Sequence, residues 1–207
     1  MSSRILKDEL RLSEFQKEVL IGMILGDGCL EHRGNSSGAV LKICQCLKQQ
    51  EFVSWLYAIF KDFVRTPPRY RSKFRNGKEN FEVRFDTLTH PEFKNFYDLF
   101  YRERKKIIPE SINQILTPIA FAVWFMCDGS VKSKECVGRI LNTQSFNRPD
   151  IERLISILQN KFNLQVSIRT QKDGLQIYIS AKSAQILNNL LKDKILPYFY
   201  YKLPIKS

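Results

Sequence analysis

A nine-residue stretch that occurs twice decides the fold of this chain: residues 20–28 read LIGMILGDG, and residues 121–129 read FAVWFMCDG. The offset is 101 residues, from Asp27 to Asp128. Both copies are apolar or small until they reach the shared Asp-Gly. Because a helix that is apolar all round is buried, each copy predicts a buried helix with an aspartate at its end.

Helix start signals precede both copies. In the first, Ser13 is followed three residues later by Gln16, which together make a capping box. In the second, Thr117 caps and Pro118 takes the first helical position. The glycine of each Asp-Gly suits a helix terminus with a positive φ. We therefore predict helices that run to the aspartates, the first ending at Asp27.

Small residues favour close contact between these helices. Gly22 and Gly26 lie four residues apart and share one face of the first helix, and Ala122 and Cys127 lie near the same face of the second. We predict that the two helices pack against each other and that their C-terminal aspartates become neighbours.

Two carboxylates at such a place are unfavourable unless a cation joins them. The helix dipole disfavours acids at a C-terminus, and two close carboxylates repel. Hard oxygen ligands with few other protein groups suit Mg²⁺, whose shell water and phosphate complete. The alternative is that each Asp-Gly is only a helix-ending turn. Its recurrence at the same place in a repeat favours the metal.

The segments that follow each helix also match between the halves. They are strand-like segments at 41–46 and 140–145, amphipathic helices at about 50–63 and 149–162, hairpins turning at Asn76-Gly77 and Asp173-Gly174, and closing helices at about 91–103 and 182–195. We predict an α+β fold of two pseudo-symmetric αββαββα halves, residues 1–110 and 111–207. Each half is expected to be a four-stranded antiparallel sheet backed by helices.

The charge indicates the partner. The chain has 207 residues with 33 Lys+Arg and 21 Asp+Glu, a net charge of +12. Residues 1–110 carry 20 basic and 15 acidic residues, and the remainder carries 13 and 6. An excess shared by both halves predicts a basic face for a polyanion. The alternative is a soluble basic protein without such a partner.

Composition excludes several other classes. No stretch approaches the about 18 apolar residues of a membrane span, and the acid-containing N-terminus lacks the apolar run of a signal peptide. We therefore expect an intracellular protein that binds no membrane. Two unclustered histidines leave little room for zinc. The odd number of cysteines predicts reduced thiols. Packing is the expected role of Cys29, Cys44, Cys46 and Cys136.

Both hairpins alternate polar and apolar side chains, which places the polar ones on one face. Arg and Lys suit guanine, Asn and Gln suit adenine, and a two-stranded ribbon fits the major groove. The first-half candidates are Arg69, Arg71, Lys73, Arg75, Lys78, Asn80, Glu82 and Arg84, with Lys42 on the preceding strand. Those of the second half are Gln165, Ser167, Arg169, Gln171, Gln176, Tyr178 and Ser180, with Arg139 on the preceding strand.

The first face is cationic and the second is rich in amides and hydroxyls, which predicts an asymmetric target. The alternative is an ordinary solvated strand face.

These features together resemble the LAGLIDADG homing endonucleases, in the form with two motifs in one chain. The likeness covers about residues 12–204. The segments 124–126 (WFM), 141–146 (LNTQSF) and 201–204 (YKLP) look most like the members from yeast mitochondrial introns. Leu25 and Met126 depart from the motif at its first acid, a position that varies. Cys127 fills a small-residue position and is expected to pack as a small buried thiol.

The resemblance implies a chemistry for the motif ends. Asp27 and Asp128 fall on the metal-binding acids, with Gly26 and Cys127 beside them. The implied cofactor is Mg²⁺; Mn²⁺ or Ca²⁺ would occupy the same sites, Ca²⁺ without turnover. The implied reaction is hydrolysis of both DNA strands across the minor groove, leaving short 3′ overhangs.

Basic and amide residues are implied near the metals. Lys106 and Lys202 match the family's basic positions, with Lys105 and Lys194 as alternatives. Gln45 of the first half and Gln144 of the second align across the repeat, and both are candidates for positioning water or phosphate.

The implied partner is double-stranded DNA, bound by a monomer that is a pseudo-dimer within one chain. Two alternatives stay open on the same scaffold: a maturase that binds intron RNA, and a DNA-binding regulator that never cuts. The compartment also stays open, since an organelle that encodes the protein would need no targeting segment. An intron or a free-standing frame is the expected location of the gene.

Overall fold

The computed structural model describes residues 9–34, 36–75, 77–133 and 136–204, with the Arg75 side chain excepted. Residues 1–8, which include most of the N-terminus that was expected not to be a signal peptide, and Asn76 of the predicted first turn lie outside this part. By its internal contacts the chain forms two compact units. The first comprises the residues up to Leu20 and Asp27–Leu99, and the second comprises Ile21–Gly26 and Phe100–Ser207. The division differs from the predicted halves because the end of the first motif helix belongs to the second unit.

The elements of the first repeat follow the predicted αββαββα order. They are α1 (Glu14–Leu25), β1 (Cys29–His32), β2 (Ala39–Cys46), α2 (Gln50–Phe60), β3 (Arg69–Arg75), β4 (Lys78–Asp86) and α3 (Pro91–Phe100). Single 3₁₀ turns, Leu47–Gln49 and Lys61–Phe63, flank α2. The predicted helix at about 50–63 therefore ends as a 3₁₀ turn.

The first unit holds an antiparallel sheet in the order β1-β2-β4-β3. Register places Ile43 beside Phe85 and Tyr70 beside Val83 on one face. Around Val83 and Phe85 that face is buried against the helices, where the Tyr57 ring meets Phe85 edge-on at 5.9 Å. Toward the hairpin turn, Tyr70, Phe74 and Phe81 on the same face are exposed. The opposite face carries the polar side chains, as the alternation predicts.

The elements of the second repeat are α5 (Pro118–Asp128), β7 (Gly129–Ser133), β8 (Cys136–Leu141), α6 (Arg148–Phe162), β9 (Val166–Gln171), β10 (Gly174–Ile179) and α7 (Ala184–Leu191). A short ribbon and a helical turn precede them: β5 (Tyr101–Arg102), β6 (Lys105–Lys106) and α4 (Ile112–Ile115). A 3₁₀ helix, Pro197–Lys202, follows α7.

The second sheet has the order β7-β8-β10-β9 and is also antiparallel. Two local predictions shift. Strand β8 ends at Leu141; Asn142 N still bonds to Asp128 O at 3.1 Å, and residues 144 and 145 then form a turn. The hairpin turns at Lys172 and Asp173, since Gln171 already pairs with Gly174, so the predicted Asp173-Gly174 turn is wrong by one residue. Gly174 takes φ +137° beside that turn.

The start signals of the two motif helices are confirmed. Ser13 N donates to Gln16 Oε1 at 2.9 Å and Gln16 N donates to Ser13 Oγ at 3.2 Å, which completes the capping box. Thr117 Oγ1 accepts from Ala120 N at 3.2 Å. Helix α1 ends at Leu25, two residues before Asp27.

Close backbone approach places the end of α1 on α5 within the second unit. A Cβ added to Gly22 would lie 2.4 Å from Ala120 O and 2.5 Å from Val123 Cβ. One added to Gly26 would lie 2.5 Å from Cys127 Cβ. The predicted packing of small residues is therefore confirmed at these positions.

The predicted positive φ at the second Asp-Gly is wrong. Gly129 is extended, with φ −65° and ψ 135°. Glycine is needed there for space, because an added Cβ would meet Phe125 O at 2.4 Å.

Among the described residues, none of the helices is both long enough and apolar enough to cross a membrane.

We predict that Gly22→Ala lowers the free energy of unfolding by about 1–3 kcal/mol, because the new methyl group meets backbone rather than a movable side-chain end. Intrinsic helix propensity alone would favour alanine by about 1 kcal/mol. Urea unfolding measures the difference. An unchanged or increased free energy of unfolding would contradict the close approach.

Candidate functional site

Asp27 lies in the first unit, two residues beyond the end of α1. Its side chain is exposed. Gln45, at the far end of β2, donates from Nε2 to Asp27 Oδ2 at 3.0 Å. The fold therefore brings two of the predicted site residues of the first half into direct contact.

Asp128 is the last residue of α5 and is half-buried. Trp124 Nε1, one turn earlier in the same helix, donates to Asp128 Oδ2 at 3.1 Å. The backbone carbonyl of Asp128 accepts from Asn142 N at 3.1 Å and from Asn142 Nδ2 at 2.9 Å. Both the carboxylate and the backbone of this acid are thus held.

Two lysines bind the carbonyls that end the motif helices. Lys106 Nζ donates to Gly26 O at 2.8 Å. Lys202 Nζ donates to Met126 O at 2.5 Å and to Cys127 O at 3.2 Å. Gly26 and Cys127 occupy equivalent positions of the repeat, so the two lysines play the same part in each copy. Cations at helix C-termini offset the dipole that disfavours the neighbouring acids.

The alternative lysines are placed differently. Lys105 and Lys194 are exposed, whereas Lys106 is half-buried and Lys202 is 6% exposed. This placement favours Lys106 and Lys202 as the basic pair.

The donor set suits a hard cation held largely by non-protein ligands. Within the described ranges, no group of three or more His, Cys, Asp or Glu side chains could hold a metal. Mg²⁺ needs only one or two carboxylates when water and phosphate complete its shell. The Gly26 and Cys127 carbonyls, predicted beside the metals, accept lysine hydrogen bonds. The Cys127 thiol contacts Met23 Sδ at 3.8 Å, but Cys127 is half-buried rather than buried.

Gln144 lies in a different place from Gln45, although the two align in the repeat. Gln144 Nε2 donates to Asp173 Oδ2 at 3.1 Å, in the hairpin turn of the second sheet. The physical reason is that β8 ends at Leu141, so the chain beyond it turns toward the hairpin. The structure places Asn142 rather than Gln144 against Asp128.

The polar face of the first sheet carries the predicted cations. Register puts on one face Lys42, Arg69, Arg71, Lys73, Lys78, Asn80, Glu82 and Arg84. The Arg75 side chain lies outside the described part. Three ion pairs cross this face: Lys42 with Glu31, Lys73 with Glu82 at 3.7 Å, and Arg84 with Asp86 at 3.0 Å. Lys42 and Arg33 lower the pKa of Glu31.

An open groove of about 1180 Å³ runs beside β4 in the first unit. It is lined by several predicted site residues, namely Gln45, Lys73, Lys78, Asn80 and Glu82. The groove therefore joins the partner of Asp27 to the cationic hairpin.

The polar face of the second sheet is less charged. Ser167, Arg169 and Gln171 share it with Tyr178, and Gln165 directly precedes its outer strand. Lys132, which the sequence analysis missed, lies 4.8 Å from the centroid of the Tyr178 ring. Ser180 ends the strand and caps the next turn, with its Oγ accepting from Lys182 N at 3.3 Å. Gln176 is only 8% exposed and donates to Asn142 Oδ1 at 2.8 Å.

Arg139 corrects a prediction of DNA contact. Register pairs it with Ile179, so it points to the helix-covered face and is 6% exposed. Its guanidinium donates to carbonyl oxygens, including Lys202 O at 2.6 Å and Val137 O at 2.8 Å, and also to Leu203 O. Burial lowers the pKa of the guanidinium. Arg139 therefore ties β8 to the segment that carries Lys202.

The cysteines also depart from the prediction of packing. Cys29, Cys44 and Cys46 are exposed, and register puts them on the polar face of the first sheet. Burial and Glu82 raise the pKa of Cys44. Cys136 lies 3.9 Å from Tyr178 Oη, and a hydrogen bond from the Gly138 backbone lowers its pKa. Alternation alone could have placed the first three, because they occupy polar-face positions.

The sequence analysis missed Trp124 and Asn142. The four-residue spacing between Trp124 and Asp128 on one helix was available as a signal. Asn142 reaches Asp128 through strand pairing, and no local pattern marks that contact.

Comparisons with known proteins agree with the resemblance. The chain matches the model of the LAGLIDADG DNA endonuclease family over residues 17–187. It is 32% identical to a Wickerhamomyces canadensis protein named probable intron-encoded endonuclease 1, over 98% of this chain and 91% of the relative. It is 28% identical to cytochrome b mRNA maturase bI2 of Debaryomyces hansenii, over 90% of this chain and 72% of the relative.

The structure is also similar to a solved one. It matches the homing endonuclease I-WcaI bound to its DNA recognition sequence with a TM-score of 0.92 and 29% identity, covering 97% of this chain and 91% of that chain.

We predict that Arg139→Met lowers the free energy of unfolding by about 3 kcal/mol or more, because several buried carbonyls lose their donor. Arg169→Met is the matched control, since Arg169 lies on the polar sheet face, and it should leave stability nearly unchanged. Urea unfolding of both variants gives the comparison. Equal effects would contradict the structural role of Arg139.

Proposed function

Because the chain belongs to the LAGLIDADG DNA endonuclease family, we propose that it is a site-specific homing endonuclease that hydrolyses both strands of a long, asymmetric DNA target. One observation carries the proposal. Each motif helix ends just before or at an aspartate, and each helix end has a lysine on its last carbonyls. Because acids at helix C-termini are unfavourable without a cation, a protein that only bound DNA would not need the two aspartates.

The sheet faces supply target recognition. The exposed Arg and Lys side chains of the first hairpin suit phosphates and guanines, and the amide and hydroxyl groups of the second suit adenines. Because the two faces differ, the halves of the target are expected to differ. A monomer that carries both faces needs no second copy to read such a target.

Asp27 and Asp128 are the residues that would hold divalent cations, Mg²⁺ in the cell and Mn²⁺ or Ca²⁺ in their place. A bound cation supplies Lewis-acid stabilisation of the phosphate and lowers the pKa of water. Gln45 orients the Asp27 carboxylate through its amide N–H. Lys106 and Lys202 place positive charge next to the acids, where negative charge develops on the phosphate.

We predict that Asp27→Asn or Asp128→Asn abolishes cleavage, a loss of at least about 100-fold, while binding of the same duplex persists. The amide keeps the shape of the side chain but removes the charge that attracts a cation. Cleavage and gel-shift assays on one target measure both properties. Asp62→Asn and Asp193→Asn, at exposed positions in the two repeats, control for net charge. Cutting at the parental rate by either active-site variant would refute the two-acid mechanism.

The target is obtained by incubating the protein with a randomised duplex library in Mg²⁺ and sequencing the cut ends, with Asp27→Asn as the control. Fragments that share one long, asymmetric site support the endonuclease. If the parent protein shifts duplex DNA but releases no fragments, the proposal of cleavage fails.

A second candidate is an RNA maturase, favoured by the similarity to a cytochrome b mRNA maturase. The same polar faces could bind intron RNA. A splicing assay on a host intron tests it: splicing that depends on the protein, and persists in Asp27→Asn, would assign a maturase activity separate from cleavage. The expected compartment is then the organelle in which such an intron is transcribed.

A further inference from the structure

The two motif acids are held by different donors. In the second repeat, Trp124 Nε1 lies 3.1 Å from Asp128 Oδ2. The equivalent residue of the first repeat, 101 positions earlier, is Met23, whose side chain has no N–H to donate. Asp27 instead takes its hydrogen bond from Gln45, on a strand.

Because Trp124 is buried, its indole N–H cannot exchange the Asp128 carboxylate for water as its hydrogen-bond acceptor. Trp124 is 0% exposed, and a buried indole N–H that loses its acceptor is costly. The Asp128 carboxylate is the acceptor in reach, one helical turn away. The hydrogen bond restrains Oδ2 and so limits the rotation of the carboxylate.

The backbone of Asp128 is fixed from the sheet side. Its carbonyl accepts twice from Asn142, and Asn142 Oδ1 accepts from Gln176 Nε2 at 2.8 Å. The carbonyl can only accept, so it sets the orientation of the Asn142 amide, and this sets that of Gln176. With its backbone anchored, the remaining freedom of Asp128 is side-chain rotation, which Trp124 limits.

We propose that Trp124 is a positioning residue, whose indole N–H holds the Asp128 carboxylate in the orientation that binds a divalent cation. The inference rests on the proposed function and extends it to a residue that touches neither DNA nor metal. It also explains the inequivalence of the two motifs. The exposed Asp27 is oriented by a strand amide, and the half-buried Asp128 by its own helix.

Trp124→Phe tests the proposal, because phenylalanine keeps an aromatic ring but removes the N–H. We expect the Mg²⁺ concentration that half-saturates cleavage to rise about tenfold or more, the usual effect of losing a residue that orients a ligand. The maximal rate at saturating Mg²⁺ should change much less. Ca²⁺ titration of the protein bound to uncut target, by calorimetry, should show the same weakening without catalysis.

Trp55→Phe is the matched control. Trp55 is the other tryptophan of the chain, half-buried and stacked on Phe52 at 5.9 Å in the first unit. The same substitution there removes an indole that has no carboxylate partner among the described residues, so metal dependence should stay at the parental value. If Trp124→Phe and Trp55→Phe give equal metal dependence, the positioning role is refuted.

The Trp55→Phe protein also provides a spectroscopic test, since Trp124 is then its one tryptophan. Ca²⁺ should change the Trp124 emission in a saturable way, and Asp128→Asn in this background should abolish the change. An emission that ignores Ca²⁺ while the parent still cuts would overturn the inference and leave the endonuclease proposal intact. If the parent protein itself does not cleave DNA, in contrast, the endonuclease proposal is overturned.

Discussion

The end of α1 and the body of α5 approach each other until their backbones touch, and much else in the molecule depends on that contact. Gly22 has no room for a Cβ because Ala120 O would lie 2.4 Å away, and Gly26 is similarly close to Cys127. The packed parts of both helices, residues 19–25 and 120–126, are therefore apolar or small on every side, whereas α1 begins with the polar residues Glu14, Gln16 and Lys17. The polar residues of each motif follow at its C-terminal end, where the chain leaves the buried helix.

Those ends carry an electrostatic conflict that the fold resolves locally. Unpaired carbonyls and acidic side chains both place negative charge at a helix C-terminus. The Lys106 and Lys202 ammonium groups donate hydrogen bonds to the carbonyls. The side chains of Gln45 and Trp124 donate to the carboxylates. Arg139 holds the backbone of the segment that carries Lys202, since its guanidinium donates to Lys202 O. Neutral donors satisfy the acids without cancelling their charge, which keeps them able to attract a cation.

Local sequence signals predicted most of the fold but only part of this site. The capping box at Ser13, the cap at Thr117 and the strand alternation of the first hairpin depend on neighbours within a few residues, and all are found. Strand register is a tertiary property, and it determines side-chain positions that local patterns do not predict. It turned Arg139 inward and set Asn142 rather than Gln144 against Asp128. A shift of one residue reverses the face of every side chain on a strand, so a repeat alignment cannot substitute for register.

Register also changes what the net charge means. The second half has the larger basic excess in the sequence, yet two of its cations, Arg139 and Lys202, are buried on backbone carbonyls. Its polar face is left with Arg169 and Lys132 among amides and hydroxyls. The first hairpin keeps exposed Arg69 and Arg71. Phosphate contacts carry the salt dependence of DNA binding, and base contacts carry its specificity. The proposed function therefore assigns most of the electrostatic attraction to the first sheet and a hydrogen-bonded readout of half of the target to the second.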